Sequence, residues 1–208
     1  SATSEPYLLS LFGNQFTPAD EDARMNALLW QGATEAAQRQ IRRVSPAERD
    51  QFSLRLAMIQ GYEPSSAGVA TPADATRDAG YVYNLAKYYR ENGQLPQAIA
   101  LLANRPSFDS PAHDPEAFIG EALRIARGAG SDPSASIAAK VDDLFAPGTD
   151  VSKGAYRLRD DYTSLMWLGG TNALWQLGDG ATAAPLFYQY GAAARTPQTR
   201  SKGFFWAA

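Results

Sequence analysis

The sequence predicts an all-α fold, an α-superhelix built as a solenoid of antiparallel helix pairs, on three observations. Cap–proline pairs open helix-like runs. Glycines close them. No stretch alternates apolar and polar residues as a half-buried strand would, so no substantial sheet is expected.

The openings have a physical basis. Proline is tolerated at the first helical position because its missing N–H has no intrahelical partner there. The preceding residue offers a side-chain oxygen to the free N–H groups of the first turn. Ser45-Pro46, Thr71-Pro72, Asp114-Pro115, Asp132-Pro133 and Thr196-Pro197 each precede such a run. Gly32, Gly61, Gly93, Gly128 and Gly178 stand where runs should stop.

The helices expected in order span roughly 20–31, 33–44, 46–60, 72–92, 95–104, 115–128, 133–145, 156–178, 181–194 and 197–208. The segments 61–71 and 104–114, rich in Pro, Ser and Gly, read as surface loops. Within 156–178, Tyr162, Leu165, Met166, Ala173 and Leu177 share one face at about 100° per residue. Trp167 and Leu174 lie on a second face, Leu168 and Trp175 on a third. An all-round apolar helix is usually enclosed by neighbours, so this one is expected to be largely buried, with Trp175 in the core. The whole chain, 1–208, is expected to be one domain, with an ordered array over about 20–208 and an N-terminal extension over 1–19.

A weak internal repeat supports paired helices. Leu29-Trp30-Gln31-Gly32 is followed by Ala36-Ala37, Tyr89-Arg90-Glu91-Asn92-Gly93 by Ala98-Ile99, and Trp175-Gln176-Leu177-Gly178 by Ala183-Ala184. Glycine permits the tight turn and alanine lets the returning helix approach closely. Tetratricopeptide-like arrays use this device, although the copies here are unevenly spaced.

Composition narrows the functions. The net charge of −3 lacks the basic footprint of nucleic-acid binding. There is no Cys, so neither a disulfide nor a thiol nucleophile is available. His113 is the only histidine, which rules out a multi-histidine metal site within one chain. No apolar run approaches the ~18 residues of a membrane-spanning helix. No signal peptide is expected at Ser1; the polar start reads as a mature or shortened form.

Chemistry-bearing clusters have structural explanations. Asp20-Glu21-Asp22 and Asp160-Asp161 fall near expected helix starts, where caps and the helix dipole favour carboxylates. Asp142-Asp143 falls near a helix end and reads as solvated. His113 reads as a surface loop residue without a partner motif. Gly128-Ala129-Gly130 is no phosphate loop, since no strand precedes it and no Lys-Ser or Lys-Thr follows. Arg39, Arg42 and Arg43 read as a solvated helix face, or a contact with anionic glycan or a partner. Trp30, Trp167, Trp175 and Trp206 read as core residues, with a sugar-stacking groove as the alternative. No catalytic, cofactor-binding or metal residue is expected.

Two regions, roughly 72–104 and 160–208, carry a family resemblance. Tyr162-Thr163-Ser164-Leu165-Met166-Trp167-Leu168-Gly169-Gly170 and Ala173-Leu174-Trp175-Gln176-Leu177-Gly178-Asp179 resemble the W-L-x-G-x-x-A-L-x-x-L-x-D stretch of soluble lytic murein transglycosylases. Ala183-Ala184-Pro185-Leu186-Phe187 resembles the A-x-x-x-F element that follows it. The stretch from Thr196 to Trp206 resembles the P-x-S-x-A-R-A-x-Y-W element, with Arg200 and Lys202 flanking the expected arginine. The segment Arg77 to Leu102 is similar to the family's helical region. The resemblance implies an N-terminal superhelical region of a periplasmic enzyme that cleaves between N-acetylmuramic acid and N-acetylglucosamine, leaving a 1,6-anhydro product. The family's lysozyme-like domain carries a Glu, usually before Ser, and no Glu-Ser pair occurs here. The resemblance therefore implies a scaffold that is not catalytic by itself, with peptidoglycan strands or a protein as partner. A tetratricopeptide-like protein-interaction module unrelated to cell walls is the alternative.

Overall fold

A computed structural model describes residues 7, 10, 11 and 13–208. Part of the expected extension 1–19 lies outside these residues. Among the described residues all regular structure is helical, with no strand. No described helix is long and apolar enough to cross a membrane. The chain divides into two compact units, the first ending at Ala73 and the second spanning Asp74–Ala208.

The first unit contains α1 (Pro18–Trp30), α2 (Thr34–Gln40) and α3 (Arg49–Ile59). Thr17 opens α1 with a capping box, in which its hydroxyl accepts from the Asp20 N–H and the Asp20 carboxylate accepts from the Thr17 N–H. Met25, Leu29, Ala37, Val44, Phe52 and Leu56 form the core. Glu21 is buried beside it. Gln40 Nε2 donates to Glu21 Oε2 at 2.6 Å, and Arg43 Nε donates to Glu21 Oε1 at 2.8 Å. Asp22 accepts the Ser45 N–H at 2.8 Å. The acidic triplet is thus more than a cap: its central carboxylate ties the α2 end to α1.

The second unit contains α4 (Ala79–Glu91), α5 (Leu95–Asn104), α6 (Pro115–Arg127), α7 (Ser131–Ala139), α8 (Tyr156–Thr171), α9 (Gly180–Ala193) and α10 (Pro197–Ala207). Helix α8 packs on α6, α7 and α9, while α10 packs on α9 and α5 on α4. The α4–α5 and α8–α9 turns pass through Gly93 (φ 73°) and Gly178 (φ 66°), a left-handed conformation that favours glycine. Gly128, by contrast, ends α6 in right-handed geometry.

Close backbone approach sets the last three helices. A Cβ on Gly169 of α8 would overlap Ala138 of α7, and one on Gly170 would lie 2.9 Å from the Phe187 ring of α9. Phe187 is fully buried and joins Ala135, Ala173 and Ala183 in the core. At the α8–α9 pair the turn glycine of the repeat, Gly178, has φ 66° and Ala183 of the returning helix is buried, while Gly169 and Gly170 are close-approach positions outside that repeat.

Several boundaries differ from expectation. Thr71-Pro72 opens no α-helix; α4 starts at Ala79, where Asp78 accepts the Tyr81 N–H at 2.6 Å. After Ser45-Pro46 the chain makes a turn, and α3 begins at Arg49. Helix α7 starts two residues before Pro133 and gives way to a 3-10 turn, Val141–Leu144. The expected helix 156–178 ends as α at Thr171 and widens into a π segment, Asn172–Gln176. Leu177 N–H donates to Asn172 O there, and Asn172 Nδ2 donates to the buried Ser134 Oγ at 2.6 Å. The extra residue in that turn changes the face of everything after it. Tyr162, Leu165, Met166 and Ala173 are buried, but Trp175 is 49 % and Leu177 44 % exposed. Trp175 is therefore not a core residue.

Candidate functional site: a cationic aromatic groove

Tyr156, Arg159, Asp160, Thr163 and Trp167 recur at three- and four-residue steps, so they form one stripe along α8. The α9 end, the Ala194–Thr196 connection and the α10 start lie across from it. Together they enclose a groove of about 400 Å³.

Local structure holds the far wall in place. Thr196 caps α10 by accepting the Thr199 N–H at 3.2 Å. Arg200 Nη1 donates to Ala194 O at 3.1 Å, occupying a carbonyl freed at the end of α9. Gly191 of α9 and Gly203 of α10 allow the two backbones to meet.

Three cations face this space: Arg159 from α8, Arg195 from the connection and Lys202 from α10. Arg159 Nε donates to Gly154 O at 3.1 Å, and Arg195 Nε donates to Ser152 O at 2.9 Å. Both guanidiniums therefore dock beside one 3-10 turn, Val151–Lys153. Lys202 Nζ sits 3.4 Å from the Trp167 ring centroid and 5.9 Å from that of Tyr190, a cation–π placement. Among the described residues none of these three cations forms an ion pair. Among the described residues, Asp160 is the one carboxylate lining the groove.

Trp167 and Tyr190 belong both to the groove lining and to an aromatic cluster. Trp167 lies 5.1 Å from Tyr190 and 5.2 Å from Phe187 between ring centroids. Trp175 meets Trp206 edge-on at 5.0 Å, and Trp206 meets Phe205 at 5.2 Å. Trp175, Phe205 and Trp206 are all exposed. The four tryptophans thus separate: Trp30 is core, Trp167 is half-buried at the groove, and Trp175 and Trp206 reach solvent.

A second cavity of about 490 Å³ lies between the 142–151 segment, Tyr162 and Gln189. Its acidic residues are committed internally. Asp142 accepts the Tyr162 hydroxyl at 2.7 Å and a hydrogen bond from Gln189. Burial, reinforced by Asp142, pushes the Tyr162 phenol far up. Asp143 accepts two bonds from the buried Arg105, at 2.7 and 2.8 Å, and the Phe108 N–H at 3.0 Å. The pair Asp142-Asp143, expected to be solvated, is a structural clamp instead.

The remaining candidates scatter. His113 is exposed on its loop. Arg42 and Arg43 lie in the turn after α2, and Arg43 is bound to Glu21 rather than forming a solvated face. Asp161 is 3.9 Å from Arg157, one turn earlier on α8. Asp20, Glu21, Asp150 and Asp179 are held below ordinary carboxylate pKa values, mainly by hydrogen bonds from Thr17, Arg43, Ser152 and Thr182 respectively. Those shifts favour the ionised form and oppose proton donation at neutral pH. Among the described residues no cluster of His, Cys, Asp and Glu is arranged to hold a metal. Sequence reasoning did not single out Arg159, Tyr190 or Arg195; the α8 stripe spacing was the available signal.

Comparison with protein-family models, curated proteins and solved structures gives no match.

Proposed function

We propose that the chain is a helical scaffold region of a periplasmic peptidoglycan lytic transglycosylase, an α-superhelix that positions murein strands for a separate catalytic domain. The observation that carries this reading is the groove's location. It is built from α8, α9 and α10, three of the helices whose sequences resemble the transglycosylase helical region. Ring edges, hydroxyls of Thr163, Ser164 and Thr199, and fixed cations are the groups that a polar saccharide requires.

A protein-interaction module is the second reading. The exposed aromatic face of Trp175, Phe205 and Trp206 favours it, because such a face suits a protein partner.

The test is co-sedimentation of the purified chain with peptidoglycan sacculi, followed by mass spectrometry of the supernatant. The chain is expected to pellet with sacculi and to release no 1,6-anhydromuropeptides. Absence from the pellet, or anhydro product abolished by replacing one of its carboxylates, overturns the reading.

A further inference from the structure

We propose that the α8–α10 groove binds a carboxylate-bearing saccharide, gripping its anionic group between Arg159 and Arg195 while Lys202 and the aromatic wall hold the sugar. This rests on the murein-binding reading and names the chemical feature that the groove selects.

The arginines carry the inference. They arrive from different elements, yet each donates its Nε to a carbonyl at the end of one short turn, Arg195 to Ser152 within it and Arg159 to Gly154, the residue that follows it. That contact fixes the guanidinium and leaves its Nη groups without a protein hydrogen bond among the described residues. A guanidinium presents a planar fork whose geometry matches a carboxylate. Arg159 is further steadied by the Tyr156 ring, 5.8 Å away.

Charge balance points the same way. Three cations against Asp160 alone leave the groove with a formal +2 (3 − 1), in a chain whose net charge is −3. A like-signed cluster on an oppositely charged protein attracts anions locally. Lys202 adds directionality, since its ammonium, on an exposed side chain, lies over the Trp167 ring. The volume of about 400 Å³ lies within the usual range for small-molecule sites, roughly 300–1,000 Å³. Thr163, Ser164 and Asp160 supply partners for sugar hydroxyls on the α8 side.

The experiment is isothermal titration of the full chain with four probes: a murein disaccharide whose lactyl carboxylate is free, the same compound with that carboxylate amidated, a neutral N-acetylglucosamine oligomer, and an oligogalacturonate. The acidic murein fragment is expected to bind, and amidation to weaken it about tenfold or more. Arg159→Gln and Arg195→Gln are each expected to weaken the acidic probe about tenfold while leaving the amidated one unchanged. Circular dichroism and the unfolding midpoint of each variant establish that it folds. Equal binding of acidic and amidated murein overturns the carboxylate inference while the murein reading stands. Binding of oligogalacturonate alone, lost in Arg195→Gln, keeps the carboxylate site and overturns the murein reading. Failure of both acidic probes to bind overturns the inference.

Discussion

Gly203 of α10 faces Gly191 of α9 so closely that a Cβ on Gly203 would lie 2.5 Å from the Gly191 nitrogen and 2.6 Å from its Cα. Backbone cannot yield as a flexible side chain can. This crossing holds the middle of α10, next to Lys202, against α9. Gly203→Ala is expected to destabilise the chain by about 1–3 kcal/mol through overpacking. Chemical denaturation measures it, and an unchanged midpoint would mean that α10 does not cross α9 at this pair.

The aromatic cluster separates into a buried hub and an exposed rim. Phe187 is fully buried, so Phe187→Ala is expected to cost about 3–5 kcal/mol. Trp175, 49 % exposed, is expected to cost only about 1–2 kcal/mol on truncation. Equal losses in urea unfolding would contradict this division.

Arg105 is almost wholly buried, with a side-chain exposure of 1 %, and its ion-pair partner is Asp143. Replacing Asp143 by Asn strands a buried cation, at a cost of about 3 kcal/mol or more. Arg105 also donates to Lys140 O, and its guanidinium lies 3.8 Å from the Phe108 ring centroid, so Arg105→Met should be milder than Asp143→Asn if packing is preserved. Thermal melts of the two variants give the order directly.

Glu21 supplies a pH dependence. Arg43 hydrogen bonding is the largest cause holding its pKa below the ordinary 4.5, so the unfolded chain binds more protons than the folded one near that value. The stabilisation is present above the ordinary Glu range and is lost as pH falls through the folded pKa. Glu21→Gln should therefore flatten the acid limb of stability against pH and leave its slope near neutrality unchanged. Identical acid limbs would show that Arg43 does not engage Glu21 in the fold.

Helix starts were legible where local chemistry decides them. Asp114-Pro115 and Thr196-Pro197 cap α6 and α10 as expected, because cap and proline act within one turn. Thr71-Pro72 misled because Asp78 provides a stronger start closer to the apolar run. The π segment was not legible: it carries no Gly or Pro signal, and Asn172 is anchored by Ser134, a residue 38 positions away. The groove was half legible. Its α8 stripe follows helical spacing, but Arg195 is oriented by Ser152 O, 43 positions earlier, and only tertiary structure brings those groups together.

The most direct measurement is a titration of the 15N-labelled chain with soluble murein fragments, read by amide and indole chemical shifts. The expected result is a set of perturbations centred on Trp167, Arg195 and Lys202, including the Trp167 indole N–H, with residues 18–59 unmoved. A spectrum unchanged at saturating fragment, or shifts confined to residues outside the α8–α10 groove, would contradict a murein-binding scaffold built on these helices.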